Sequence, residues 1–290
     1  MSAPVAEHQV LSMSLSTDLV IDVGMHNGDD TAYYLHRGFR VVAIEANPHL
    51  AARGEQRFAG AIRSGRLKIL AVGVAAGRGE AEFYIASDLD VLSSFNLDLV
   101  KRADTPIERV RVPCLPMREI LDVHGVPWYL KVDIEGNDSL CIAGLDPQHL
   151  PACVSIELDL RHGDADLHAL RALGYTRFKC IRQNDLREMT PAILPGQLAL
   201  RRRAARAGPW GTMNRVLRGM SHRARSRRCG DWTFPPGSSG RFGDDLTGAW
   251  LDAAQVLDLW ARLRDIDAEL AAGWKSEWFD LHARLPDKAR

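Results

Sequence analysis

The sequence predicts an α/β protein built on a doubly wound, mostly parallel sheet. Short apolar runs rich in β-branched residues recur between residues 19 and 182. Stretches of helical character separate them, and this alternation is the pattern of strand–helix–strand units. A Gly-bracketed turn directly after the first run marks the sheet edge at which open α/β proteins hold ligands.

Residues 19–23, Leu-Val-Ile-Asp-Val, form the first buried strand, which Gly24 ends. Residues 31–37 read as a short helix stopped by Gly38. Residues 41–44 are a second strand ending at Glu45, and residues 48–58 a helix with Pro48 at its start, where a missing N–H costs little. Residues 67–74 are a third strand. Residues 80–85 and 109–115 read as extra extended segments, followed by a helix over 117–123. A strand over 128–134, a helix over 137–144, a strand over 153–158, a helix over 167–173 and a strand over 177–182 complete the rhythm.

The rhythm stops after about residue 185. Residues 201–228 contain ten Arg and no acid, which reads as a solvated segment or a contact for a polyanion. Pro235 to Gly240 is a turn-rich loop, and Leu251, Val256, Leu259, Trp260, Leu263, Ile266 and Leu270 recur at helical spacing. Their stripe needs a partner, either the main domain or a second subunit. The expected organisation is a flexible N-terminus over 1–16, a main domain over 17–185 and a partly helical C-terminal extension over 186–290.

Composition excludes several classes. Lys+Arg and Asp+Glu both total 37 among 290 residues, so global charge gives no reason to expect nucleic acid or a membrane surface as partner. Five separated cysteines form no CxxC pair, so buried free thiols are expected rather than a disulfide framework or zinc site. No leader pattern or membrane-spanning run is present in the sequence, and a cytoplasmic protein is the expectation.

The chemistry concentrates in two segments. In Asp22-Val23-Gly24-Met25-His26-Asn27-Gly28-Asp29-Asp30-Thr31, the glycines let a ligand approach the backbone at a helix N-terminus. Glu45, about twenty residues on, ends the second strand where nucleotide-binding sheets place an acid on ribose hydroxyls. The turn lacks a third Gly and carries Asp29 and Asp30, which would repel a pyrophosphate. A sulfonium cofactor with an amino-acid tail meets no such repulsion, so S-adenosylmethionine is favoured over NAD. In Lys131-Val132-Asp133-Ile134-Glu135, alternation places Lys131, Asp133 and Glu135 on one side at the carboxyl end of a strand. Asp133 and Glu135 are candidates for general base or metal ligands, and His26 is a second candidate base. Glu157 and Asp159 add acidity to the same edge and could complete an oxygen-ligand site for a divalent metal. Asp138 reads as a helix-capping residue.

These segments, with Glu45-Ala46-Asn47-Pro48 between them, resemble the FkbM family of class I methyltransferases over residues 20–182. The string Leu130-Lys131-Val132-Asp133-Ile134-Glu135-Gly136 is the family-specific part, and Ser93-Ser94 matches a short Ser pair of the family. Asp138 departs from the usual Glu. The resemblance implies a seven-stranded Rossmann-like sheet and methyl transfer from S-adenosylmethionine to a hydroxyl of a small-molecule or glycan acceptor. It implies a cofactor site drawn from Asp22, Gly24, Asn27, Gly28, Thr31, Glu45, Ala46, Val72, Gly73 and Ser94. The loop around Gly237 to Gly243 is implied to act structurally or as a lid. Two other readings stay open: a degenerate fold that binds RNA or an acidic glycan through the Arg-rich segment, and a nicotinamide-dependent reductase. A homodimer through the C-terminal helix is a further expectation.

Overall fold

A computed structural model describes residues 14–87, 93–101, 105–134, 136–158, 163–196, 227–270 and 278–286. The chain begins with β1 (Leu15–Val23), α1 (Asp29–His36), β2 (Arg40–Ile44), α2 (Pro48–Arg57), α3 (Ala59–Arg63) and β3 (Leu67–Leu70). β4 (Gly73–Val74), β5 (Gly79–Ala86), α4 (Leu97–Val100) and β6 (Ile107–Leu115) follow. Next come α5 (Met117–His124), β7 (Val126–Val132), α6 (Asp138–Ala143), β8 (Cys153–Glu157), α7 (Gly163–Ala172), β9 (Arg177–Arg182) and β10 (Arg187–Met189). After the Arg-rich region, β11 (Arg228–Cys229), β12 (Trp232–Thr233), α8 (Ala253–Leu270) and β13 (Phe279–Arg284) close the chain.

The central sheet runs β10-β9-β13-β8-β7-β1-β2-β3. β3, β2, β1, β7 and β8 are parallel neighbours, so the chain leaves β1 toward one edge and then crosses back to β7. The crevice between the carboxyl ends of β1 and β7 is therefore the switch point where such sheets bind ligands. β13 inserts antiparallel between β8 and β9. Seven strands thus form the sheet expected from the resemblance, and the short β10 adds an eighth at its edge.

The third sequence-predicted strand divides in two. β3 stays in the main sheet, while β4 pairs with β6 in a separate β4-β6-β5 sheet. The chain turns out of the main sheet at Ala71 and Val72, carrying the next residues over the carboxyl edge.

Helices cover both faces, as unbroken apolar strands require. On one face α5, α6, α7 and α8 bury Met117, Ile120, Ile142, Leu167, Leu170, Val256, Leu259, Trp260 and Leu263 against the sheet. The α8 stripe as far as Leu263 is thus buried within the chain; the side chains of Ile266 and Leu270 lie outside those described. On the other face, Tyr33 and Tyr34 of α1 pack with Trp128, Phe234 and Phe242. Phe242 stacks on Tyr129 with ring centres 4.4 Å apart. This cluster fastens the segment after β12 onto the sheet. The N-terminal residues 1–13 and the Arg-rich residues 201–226 lie outside the described residues. Among the described residues, no helix is long and apolar enough to cross a membrane. All five cysteines are free thiols, four buried and Cys229 half-buried.

Candidate functional site

A cavity of about 420 Å³ opens over the carboxyl ends of β1, β2, β7, β8 and β9, within the roughly 300–1,000 Å³ usual for small-molecule sites. Its floor at the switch point is fixed by close backbone approach. Gly24 has φ +84°, and a Cβ there would sit 1.9 Å from the carbonyl oxygen of Asp133. Only glycine satisfies both conditions. The Gly24 N–H and the Met25 N–H both donate to the Ile44 carbonyl, at 2.9 and 3.0 Å, and tie the turn to β2.

Glu45 lies across the same cavity. Its side chain is held from behind: Oε2 accepts the His26 N–H at 2.7 Å, and Oε1 accepts the Asn47 N–H at 2.8 Å. Each oxygen keeps a lone-pair direction for a ligand. Burial holds the carboxyl above its ordinary range despite these N–H donors. His26 takes part through its backbone, in the left-handed region at φ 51°; it also lines the cavity, as do Gly24, Asn27, Glu45, Ala46, Val72 and Gly73. Leu50, Val74, Phe83 and Phe95 make this half apolar.

Other expected residues stand one layer back. Asp22 is fully buried and its Oδ2 accepts the Thr31 hydroxyl at 2.6 Å, so both support the turn from beneath instead of lining the cavity. Gly28 has φ +81° and faces the Phe58 ring, which a Cβ would meet at 2.5 Å. Ser94 is buried, its Oγ accepting the Asn96 N–H at 3.1 Å; its neighbours Ser93 and Phe95 reach the cavity, because the extended backbone alternates sides. Asp29 and Asp30 also line the cavity, and the buried Asp30 accepts the Ser238 hydroxyl and the Ser239 N–H. That tether brings Pro236 and Gly237 to the cavity wall.

Asp133 lines the cavity just beyond β7, with its side chain 29% exposed. Glu135 and Asp159 lie outside the described residues. Lys131, a lining residue to which the sequence reading gave no role, lies nearly buried between the two acids. Its Nζ donates to the Gly24 carbonyl at 2.8 Å and sits 3.4 Å from Asp22 and 3.5 Å from Asp133. Burial alone would lower its pKa; the charges of Asp22 and Asp133 outweigh that and hold the ammonium above its ordinary range. Asp138, first residue of α6, accepts the N–H groups of Ile134 and Gly136 at 3.2 and 3.1 Å. It thereby shapes the loop after Asp133 and does not cap α6 as the sequence suggested, because Asn137 holds the N-cap position and the Asp138 carboxyl accepts from N–H groups that precede the helix. Burial first, and the charge of Asp133 second, push it up to about 6.

The far half of the cavity is made by Glu157, Gln183, Asn184, Arg227, Pro236, Gly237 and Trp278. Of these, Glu157 was singled out from the sequence, Pro236 and Gly237 belong to its turn-rich loop and Arg227 to its Arg-rich segment, while Gln183, Asn184 and Trp278 were not singled out. Among the described residues, no group of three His, Cys, Asp or Glu is arranged to hold a metal ion.

The profile described as "Methyltransferase FkbM domain" matches residues 22–182, more than half of the chain. The chain belongs to the FkbM methyltransferase family. The matched span begins at Asp22 and ends at Arg182, so it includes Glu45, Lys131 and Asp133 but stops before Gln183 and Trp278. No curated protein matches the sequence significantly. Among solved structures, the chain is similar to the precorrin-6y C5,15-methyltransferase of Geobacter metallireducens GS-15, at 12% identity and TM-score 0.34, covering 60% of this chain and 74% of that one. It is also similar to the [4+2]-cyclase SpnF, at 12% identity and TM-score 0.35, covering 93% and 76%. A third is the phosphoethanolamine N-methyltransferase 2 of Haemonchus contortus, solved with S-adenosyl-L-methionine, at 9% identity and TM-score 0.35, covering 96% and 51%.

Proposed function

We propose that this methyltransferase uses S-adenosylmethionine and methylates a hydroxyl oxygen on a sugar or natural product. The observation that carries the reading is that the Gly24 turn and the Glu45 carboxylate open on one cavity. Glu45 would hold the two ribose hydroxyls on the lone pairs its backbone donors leave. The apolar half with Val72, Gly73, Phe83 and Phe95 suits adenine, and the turn from Gly24 to Asn27 suits the methionine tail. The bound cofactor supplies an electrophilic methyl group on a sulfonium.

The chain's own tasks are then to align the acceptor, exclude water and take a proton. Asp133 is the residue for the last task, since it lines the cavity at the switch point and is partly exposed to pass the proton on. Lys131 fixes both the turn and Asp133, acting as a positioning residue. Of the acids that could hold a divalent metal, Asp133 and Glu157 line the cavity, while Glu135 and Asp159 lie outside the described residues.

Ligand-induced thermal shift tests the cofactor. S-adenosylhomocysteine at about a hundred times its Kd stabilises by roughly 2.7 kcal/mol, worth about 5 °C in Tm, while NAD should have no effect. A shift with NAD alone favours the reductase reading. No shift with either leaves the binding-scaffold reading, to be followed with RNA.

A further inference from the structure

The sequence leaves the acceptor open between sugars and other natural products; the far half of the cavity separates them. One step beyond the Phe279–Arg182 pair, the Gln183 N–H donates to the Trp278 carbonyl at 3.0 Å. Gln183 and Trp278 therefore stand opposite each other at the ends of β9 and β13, and both line the cavity. The Gln183 side chain is locked. Its Nε2 donates to Asp280 Oδ1 at 2.9 Å, and Asp280 is only 3% exposed. Burial, with the charge of Asp133, pushes the Asp280 carboxyl well above its usual range and favours the neutral acid. Gln183 keeps one N–H and its carbonyl oxygen for a ligand.

Trp278 is 43% exposed, a large apolar ring left uncovered at a cavity wall. Around it the wall is polar, with Asn184, Glu157 and Asp133. Apart from Trp278 and Pro236, the described residues of this half, Arg227 among them, are polar or glycine. A saturated ring bearing hydroxyls has an apolar C–H face for the indole and a polar rim for amides and carboxylates, the mixture this wall offers.

We propose that the β8–β13–β9 half of the cavity receives a glycosyl residue, with Trp278 under one ring face and Gln183, held by Asp280, bonding its hydroxyls. The assignment rests on the cofactor reading above, and the test separates the two. The full chain is first titrated with S-adenosylhomocysteine by calorimetry. The loaded protein is then examined by saturation-transfer difference NMR with methyl α-glucopyranoside, methyl α-mannopyranoside and methyl α-rhamnopyranoside, and with catechol as the aromatic probe. At least one glycoside should bind saturably, and catechol should not. Trp278→Ala and Gln183→Ala should each weaken that glycoside about tenfold or more, with S-adenosylhomocysteine affinity unchanged. Asp280→Asn, which keeps a neutral acceptor oxygen, should retain glycoside binding within about threefold, whereas Asp280→Leu should lose it. If S-adenosylhomocysteine does not bind, the cofactor reading fails. If it binds but no glycoside does, or only catechol does, or the alanine variants bind glycoside normally, the glycosyl assignment fails alone.

Discussion

Removing the Glu45 carboxylate should cripple cofactor binding by an amount the geometry sets. Each Glu45 oxygen accepts one backbone N–H, from His26 at 2.7 Å and Asn47 at 2.8 Å, and has one direction left for a ribose hydroxyl. Hydrogen bonds to a charged group contribute roughly 1.5–3 kcal/mol each, so two contribute about 3–6 kcal/mol before offsets. Burial disfavours the charge in the free protein, which brings the net loss for Glu45→Ala to about 3–4 kcal/mol, or roughly 100- to 1,000-fold in Kd. Glu45→Gln keeps one acceptor oxygen and should lose about tenfold. Because the Glu45 pKa is raised, wild-type affinity should fall as pH drops through it and the carboxyl protonates, while the Gln variant should be flat over that window. Calorimetric titration with S-adenosylhomocysteine measures all three, with thermal unfolding to show that the turn survives. An Ala variant that binds within about threefold of wild type would refute the ribose assignment.

Four further perturbations test the site. Gly24→Ala forces a Cβ to 1.9 Å from the Asp133 carbonyl at φ +84° and should cost about 4 kcal/mol or more in urea unfolding; a cost near zero would mean that the turn is not held by β7. Lys131→Met strands the buried Asp22 and should destabilise by roughly 3–5 kcal/mol, with Asp22→Asn restoring part of the loss; no recovery in the double variant would argue against their coupling. Asp133→Asn should lower turnover about 100- to 10,000-fold with S-adenosylhomocysteine affinity intact, and normal turnover would move the base elsewhere. Asp138 is held at about 6, above its unfolded value, so its contribution is present at low pH and lost as pH rises. Between about pH 4 and pH 7 the wild type should lose roughly 3 kcal/mol relative to Asp138→Asn; a constant gap between the two unfolding curves would contradict the assignment.

The parallel half of the sheet was legible because its strands are buried on both faces and read as unbroken β-branched runs, as in Val20-Ile21 and Val41-Val42. β13 was not read, although Phe279, Leu281 and Ala283 alternate inward. Asp280 and His282, buried on its other face, make the segment look like a polar loop. The break between β3 and β4 was also hidden, since residues 67–74 are apolar throughout and only pairing partners reveal the change of sheet.

At the site, Glu45 and the Gly24 turn could be placed because strand ends and glycines declare a sheet's carboxyl edge. Depth could not be read. Asp22, Thr31 and Ser94 belong to the right segments but turn away from the cavity, and His26 is engaged through its N–H. Most of the far wall escaped because Gln183, Asn184 and Trp278 are almost a hundred positions apart and are brought together by the antiparallel insertion of β13. Lys131 was seen on the correct side of its strand, but its role depends on a distance to Gly24 that spacing does not supply.

The most direct measurement is a crystal structure of the full chain with S-adenosylhomocysteine. The account predicts both ribose hydroxyls on Glu45, the amino-acid tail along the Gly24 turn, and the sulfur facing Asp133 across an open space bounded by Gln183 and Trp278. Adenosine bound elsewhere, or a ribose that makes no contact with Glu45, would contradict it.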